Sequence, residues 1–287
     1  PQSRRIMTNI YVHQDLAEMH LWNFPKVLVD FDDHPLEMYD TLKSLEVKPW
    51  LRSIGRMILK MQMKFIEKRI SGGWLSNQNQ VSSFSAGCKI VPLRNIPLSP
   101  SLEYRSEASR NSLIVSVGAM SYYPNYMGVD RFLNDVWPTI HKKYPELVYA
   151  VVGKGIPDAY KDKWQALPNV KLLGFVENLE RLYQDCLCSV VSIYAGGGTC
   201  IKTLESLSFS RVCLTTRFGA RGLEQEIKVG GSGIFEYTSA ESFLVQLESQ
   251  VLNEEQRATN EKNARRYIEE HCSKDAFSRV VIETIQS

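Results

Sequence analysis

No CxxC pair and no cysteine–histidine spacing suited to zinc occurs in the 287 residues, although six cysteines are present (Cys88, Cys186, Cys188, Cys200, Cys213, Cys272). Several of them sit inside apolar runs, where cysteine behaves as a small buried hydrophobe. The expectation is a reduced, cytoplasmic protein without a structural metal. Apolar runs of the ~20 residues that a membrane span requires are absent too, and no signal peptide is visible. A formal net charge of +2 is too small to argue for nucleic acid. Internal repeats and low-complexity tracts are also missing. What remains, 44% hydrophobic and 23% charged, is the mix of a globular chain long enough for two cores.

The second half is the more regular. Short β-branched runs recur at Leu113–Gly118, Leu147–Gly153, Val170–Gly174, Ser189–Tyr194 and Val212–Thr216, with Gly233–Phe235 as a weaker last member. Segments of helical period separate them: Gly128–Lys143, Ala159–Leu167, Asn178–Cys186 and Ile201–Phe209. Apolar strands alternating with helices predict a parallel sheet covered on both faces, with ligands at the carboxyl ends of its strands. This α/β domain is expected over 108–272. In the first hundred residues Lys26–Asp30 reads as a buried strand, and Tyr39–Ile70 as largely helical with a break at Pro49. Gly72–Ser76 and Cys88–Pro92 read as a turn with strand pieces. Leu93–Ser101, with Pro97 and Pro100, suits a linker.

The segment richest in chemistry is Tyr194-Ala-Gly196-Gly197-Gly198-Thr199-Cys-Ile-Lys202-Thr-Leu-Glu205. A strand ends, three glycines turn the chain, and a helix is expected to begin near Thr199. Glycines let backbone approach a ligand closely, and the free N–H groups of a helix start favour an anion such as diphosphate. Lys202 would add a point charge, and Glu205 could accept hydrogen bonds from ribose hydroxyls. The pattern is neither a Walker loop nor GxGxxG. On the glycines alone, a phosphate cradle and a plain tight turn both remain open.

Gly196-Gly-Gly-Thr199-x-x-Lys202-x-x-Glu205 resembles the donor-site signature of one branch of glycosyltransferase family 4, retaining enzymes of the GT-B fold. Further segments resemble the same family in order and spacing: Val117-Gly118-Ala-Met-Ser121-Tyr-x-Pro124-Asn125, Val136-Trp137-Pro138-x-Ile140, Val152-Gly153, Gly174-Phe175-Val176 and Phe218-Gly219-Ala220-x-Gly222-Leu223. The resemblance implies two Rossmann-like domains with parallel sheets. It implies that Glu205 holds ribose, that Gly196, Gly197, Gly198 and Thr199 meet sugar and phosphates, that Phe175 and Val176 hold the base, and that Gly118 faces the diphosphate. This chain departs from the pattern twice. Gly197 stands where many members have a second glutamate, and Ser121 and Asn125 occupy the region of an Arg–Lys pair, leaving Lys202, Arg131 or Arg221 as substitutes.

Two features lie in the first hundred residues. Asp30, Asp32 and Asp33 with His34 follow a buried strand, where a parallel sheet displays functional side chains. The position resembles the strand end at which the family presents a His or Asp to the sugars, which makes Asp33 and Asp32 the catalytic candidates. A solvated turn in which one Asp caps the next helix is the alternative. Arg52, Arg56, Lys60, Lys64 and Lys68 recur every four residues beside Ile54, Ile58, Met61, Phe65 and Ile66. That pattern fits either a solvated helix face or peripheral contact of helix 52–68 with anionic lipid at the inner face of the membrane.

The expectation is thus a metal-independent glycosyltransferase without a cofactor. It would take a UDP- or GDP-linked sugar as substrate and a glycan or lipid-linked acceptor in surface polysaccharide synthesis. The rivals are a nucleotide-binding partner subunit without transfer and another GT-B enzyme such as a nucleotide-sugar epimerase. Residues 1–100 are expected to be a partial acceptor-side Rossmann-like domain ending in the linker, lacking about a hundred residues by the usual domain size. Residues 273–287 are expected to form a closing helix that packs back on it.

Overall fold

The computed structural model describes residues 27–31, 34–41, 49–85, 87–100, 112–195 and 199–286, with backbone alone at positions 37, 38, 41 and 49. The chain divides into two compact units. One comprises Pro1–Asn95, Gly196–Thr199 and Phe277–Ser287, and the other Ile96–Ala195 and Cys200–Ala276.

In the larger unit six strands form one sheet: β4 (Leu113–Val117), β5 (Val148–Val152), β6 (Val170–Gly174), β7 (Cys186–Val191), β8 (Cys213–Thr215) and β9 (Ile234–Glu236). Their order is β6-β5-β4-β7-β8-β9, and every pairing is parallel. This is the doubly wound Rossmann order, whose direction of winding reverses between the first strand and the fourth, here β4 and β7. Because side chains alternate across a strand, Ile114, Tyr149 and Val151 enter one core with Phe132, Trp137, Ile140 and Phe243, while Val115, Ala150 and Val152 enter another with Leu182, Tyr183 and Phe209. Phe132 stacks on Tyr149 with ring centroids 4.8 Å apart.

The stretch read as one helix over Gly128–Lys143 is two, α3 (Tyr123–Asp135) and α4 (Trp137–Lys143). Prolines explain both starts. Pro124 and Pro138 each occupy a first turn, where the missing N–H costs nothing, and Pro138 also prevents α3 from running on. Strand β7 begins three residues before the run read from Ser189, because Cys186 and Cys188 are buried strand residues paired with β4. All six cysteines are free and buried. Burial pushes the Cys186 and Cys213 thiols up to about 12, so they stay protonated at neutral pH.

In the smaller unit β1 (Leu28–Phe31), β2 (Gly72–Leu75) and β3 (Lys89–Pro92) form a parallel sheet, ordered β1-β2-β3. The segments read as turn and strand pieces are therefore full strands; Gly72-Gly73 imitates a turn, yet both residues are buried and paired in register with β1 and β3. Helix α1 spans Pro35–Thr41 and α2 Pro49–Glu67. Val29, Phe31, Leu75 and Ile90 pack with Met63 and Ile66 of α2. Helix α11 (Lys274–Gln286) sets Phe277, Val280, Val281 and Ile285 against Leu28, Trp74 and Leu93, and the Trp74 indole N–H donates to Thr284 Oγ1 at 3.1 Å. Among the described residues no helix is long and apolar enough to cross a membrane.

Helix α3 meets the exit of β7 so closely that a Cβ on Gly128 would lie 1.6 Å from the Ser192 carbonyl oxygen. Gly128→Ala should therefore force the helix outward and cost about 1–3 kcal/mol, the usual range for overpacking. Urea unfolding checks it, and wild-type stability in the variant would mean that this approach is not tight.

Candidate functional site

The carboxyl ends of β4 and β7 border the reversal of winding, where open parallel sheets hold ligands because the crossover connections part there. A small cleft opens at this point, lined among others by Val117, Asn125, Ser192 and Lys202. Gly118 follows β4 and donates its N–H to Val152 O at 2.9 Å. A Cβ on Gly118 would sit 2.7 Å from Lys202 Cε and 3.1 Å from Asn125 Nδ2. Glycine thus allows an ammonium and an amide to converge on the strand end. Asn125 is buried and donates to Ala119 O at 2.8 Å, while its Oδ1 is buried without a hydrogen-bond partner.

Lys202 and Glu205 lie on α7 (Ile201–Ser208), which starts two residues later than read from the sequence. Three residues apart, they occupy neighbouring positions on one helical surface. Glu205 is half-buried and accepts a hydrogen bond from the Tyr183 hydroxyl at 2.9 Å. Tyr183 comes from α6 (Leu179–Asp185) and is fully buried, its ring stacked on Phe209 at 4.6 Å. Burial raises the Glu205 pKa above the ordinary glutamate value, and the Tyr183 hydroxyl and the Lys202 charge oppose that rise in turn.

Phe175 follows β6 and is 63% exposed, with Lys154 Nζ 4.1 Å from its ring centroid. Val176 is half-buried against the Leu182–Tyr183 cluster. Gly118 and Lys202 therefore meet, and Val176 packs with the tyrosine that holds Glu205. Arg131 is drawn away by Asp135 at 3.3 Å and by the Tyr194 ring, and Arg221 lies over Phe218. Thr199 belongs to the smaller unit, where its hydroxyl donates to the Ser76 carbonyl at 3.0 Å. Gly196, Gly197 and Gly198 lie outside the described residues, as do Asp32 and Asp33. His34, grouped with those aspartates in the sequence, is buried edge-on against Phe84 at 4.8 Å, and its backbone N–H donates to Gln80 Oε1.

Tyr183 and Lys154 were not foreseen. Tyr183 stands 22 residues before Glu205 on another helix, and no periodicity links two such positions.

A half-buried carboxylate carries a sign that can be tested. Its folded pKa lies above the unfolded one, so between the two the folded state binds more protons and stability falls as pH rises. Above the folded pKa the charge opposes folding in full. Glu205→Gln should therefore raise the melting temperature of the ligand-free protein at pH 7–8, with the gain shrinking as pH drops through the folded pKa. A glutamine variant less stable than wild type at pH 8 would contradict this.

Residues 111–249, just under half the chain, match the family model described as glycosyl transferases group 1. A comparison with curated protein sequences finds no match. Solved structures with the same fold include TarM of S. aureus, at 14% identity and a TM-score of 0.69, covering 98% of this chain and 54% of that one. Anabaena HepE in complex with UDP and glucose aligns at 13% identity and a TM-score of 0.68, covering 98% of this chain and 77% of its own. WaaG, a glycosyltransferase involved in lipopolysaccharide biosynthesis, aligns at 14% and 0.60, with 96% and 83% covered. The chain spans about half the length of the first of these, at 54%. It is an α/β chain of the GT-B type, with parallel Rossmann-like sheets, and the pattern of glycosyl transferases group 1 covers 111–249 of it.

Proposed function

We propose that this chain binds a nucleotide-diphosphate sugar and serves a glycosyltransferase that moves the sugar, with retention, to a glycan or lipid-linked acceptor in surface polysaccharide synthesis. The observation that carries this reading is the meeting of Gly118, Asn125 and Lys202 at the β4–β7 strand ends, with the half-buried Glu205 on the same helix as Lys202. Lys202 neutralises the diphosphate at Gly118, and Gly196, Gly197, Gly198 and Thr199 are the loop that the family resemblance assigns to sugar and phosphates. Glu205 accepts from the ribose hydroxyls, and Phe175 with Val176 holds the base. UDP is the first candidate nucleotide, since HepE is complexed with UDP and glucose. GDP is the second. Stabilising the departing diphosphate by charges already in place would need no reorganisation during the reaction. Asp33 and Asp32, just beyond β1, are the proposed catalytic carboxylates.

A ligand that binds only the folded state raises the melting temperature. UDP is expected to do so for wild type and far less for Glu205→Ala, while Asp33→Ala binds as wild type but releases little UDP from a UDP-sugar and acceptor. No response to UDP, GDP or ADP would remove the site. Saturable binding without turnover would favour the partner subunit, which Gly197 recommends because many relatives place a glutamate there. Interconversion of the free sugar nucleotide would favour an epimerase.

A second element bears on the partner. Helix α2 packs Met63 and Ile66 inward, yet Trp50 (59%), Ile54, Met57, Ile58, Met61 (65%) and Phe65 are exposed. Lys60, Lys64 and Lys68 are exposed alongside, whereas Arg56 is held by Asp40 at 2.9 Å. An apolar row flanked by lysines is complementary to an anionic bilayer, with the apolar side chains in the acyl boundary and the lysines at headgroup phosphates. The chain should pellet with phosphatidylglycerol vesicles and stay free of phosphatidylcholine vesicles, and Met57→Glu with Met61→Glu should abolish pelleting. A lipid-free dimer by light scattering that those changes dissociate would assign the face to a second copy instead.

A further inference from the structure

The geometry points to Tyr183 as a positioning residue for nucleotide recognition: its buried hydroxyl holds the Glu205 carboxylate in place and ionised, and so sets how strongly the site prefers a ribonucleotide to its deoxy counterpart. This rests on the reading of Glu205 as the ribose-binding carboxylate. The hydroxyl donates to Glu205 Oε1 at 2.9 Å, a bond that favours the ionised carboxylate over the protonated one. A phenol normally loses its proton only near pH 10. Here burial first, and then the neighbouring Glu205 charge, push the Tyr183 pKa well above that. Tyr183 is thus a fixed donor over the whole working range of pH.

The tyrosine is itself held from behind. Its ring lies parallel to Phe209, tilted by 7°. Its backbone carbonyl accepts from Arg211 Nε at 2.6 Å, and the next carbonyl, of Gln184, accepts from Arg211 Nη2 at 3.2 Å. Arg211 is fully buried and pairs with Glu261 of α10 (Glu254–His271) at 3.0 Å. A buried guanidinium that spends its donors on main-chain carbonyls fixes the backbone to which the phenol is attached. The chain of support runs from Glu261 through Arg211 and Tyr183 to Glu205.

Removing only the hydroxyl tests this, because Tyr183→Phe keeps the ring and its stack on Phe209. The charged and titratable groups facing the pair are Lys202 from α7 and the thiols of Cys186 and Cys213, which burial keeps neutral. Calorimetric titration would compare UDP with 2′,3′-dideoxyuridine diphosphate across pH 4–8. Wild type should prefer UDP. In Tyr183→Phe the UDP affinity should fall about tenfold, the scale of one hydrogen bond to a charged group, while the dideoxy affinity holds. The acid limb of UDP binding should also move to higher pH, since the hydroxyl opposes the raised pKa of Glu205.

Equal losses for both nucleotides, or an unmoved acid limb, would overturn the positioning role. A wild type that binds both nucleotides alike would instead sink the ribose role of Glu205, so the two failures are told apart. Circular dichroism and the melting temperature of the variant establish that it is folded, and its dideoxy affinity serves as the internal control.

Discussion

The reversal of winding between β4 and β7 is the constraint on which the rest of the larger unit depends. In an all-parallel sheet each strand must be reached by a crossover, and crossovers on the two sides of this seam leave in opposite directions. The strand ends there lie where the crossover connections part. Backbone therefore has to come close from both sides, and glycine is what allows it: Gly128 lets α3 reach the Ser192 carbonyl, and Gly118 leaves room for Lys202 and Asn125. A side chain at either position would collide with the Ser192 carbonyl or push away Lys202 and Asn125.

Electrostatics at the seam follow from burial. Burial disfavours the charge on Glu205, and two groups compensate, a neutral donor behind it and a cation on its own helix. The compensation is incomplete, since the pKa stays above the ordinary glutamate value. A residue chosen for folding alone would be uncharged here. Stability given up at one carboxylate, and supplied by the aromatic cores around Phe132, Trp137 and Phe243, is the trade-off that the proposed binding role entails.

Much of the larger unit was legible in the sequence because parallel strands buried on both faces are unmistakably apolar: β4, β5, β6 and β8 fall within two residues of the runs that announced them. Strand β7 was misplaced because cysteine carries a weak strand signal, and α3 and α4 were fused because the helical period runs on through Val136, masking the start that Pro138 marks. The smaller unit was under-read for a different reason. Gly72-Gly73 has the composition of a turn, and only pairing with β1 and β3 makes it a strand. Lys202 and Glu205 were visible as a motif on one helix. Tyr183 was not, since nothing in a linear chain records that α6 ends beneath α7.

That last relation shows where core and site become one structure. Tyr183 belongs to the apolar cluster of Val115, Ala150, Val152 and Phe209, and its only polar atom beyond the backbone is spent on Glu205. The Arg211–Glu261 pair that steadies it is buried at both ends, an arrangement that adds little net stability because desolvation offsets the attraction. What such a pair does supply is geometry: a guanidinium plane bonded to two successive carbonyls leaves the helix end a single position. Specific placement, rather than stability, is the physical reason for a charge pair so deep behind Tyr183 and the Glu205 carboxylate it holds.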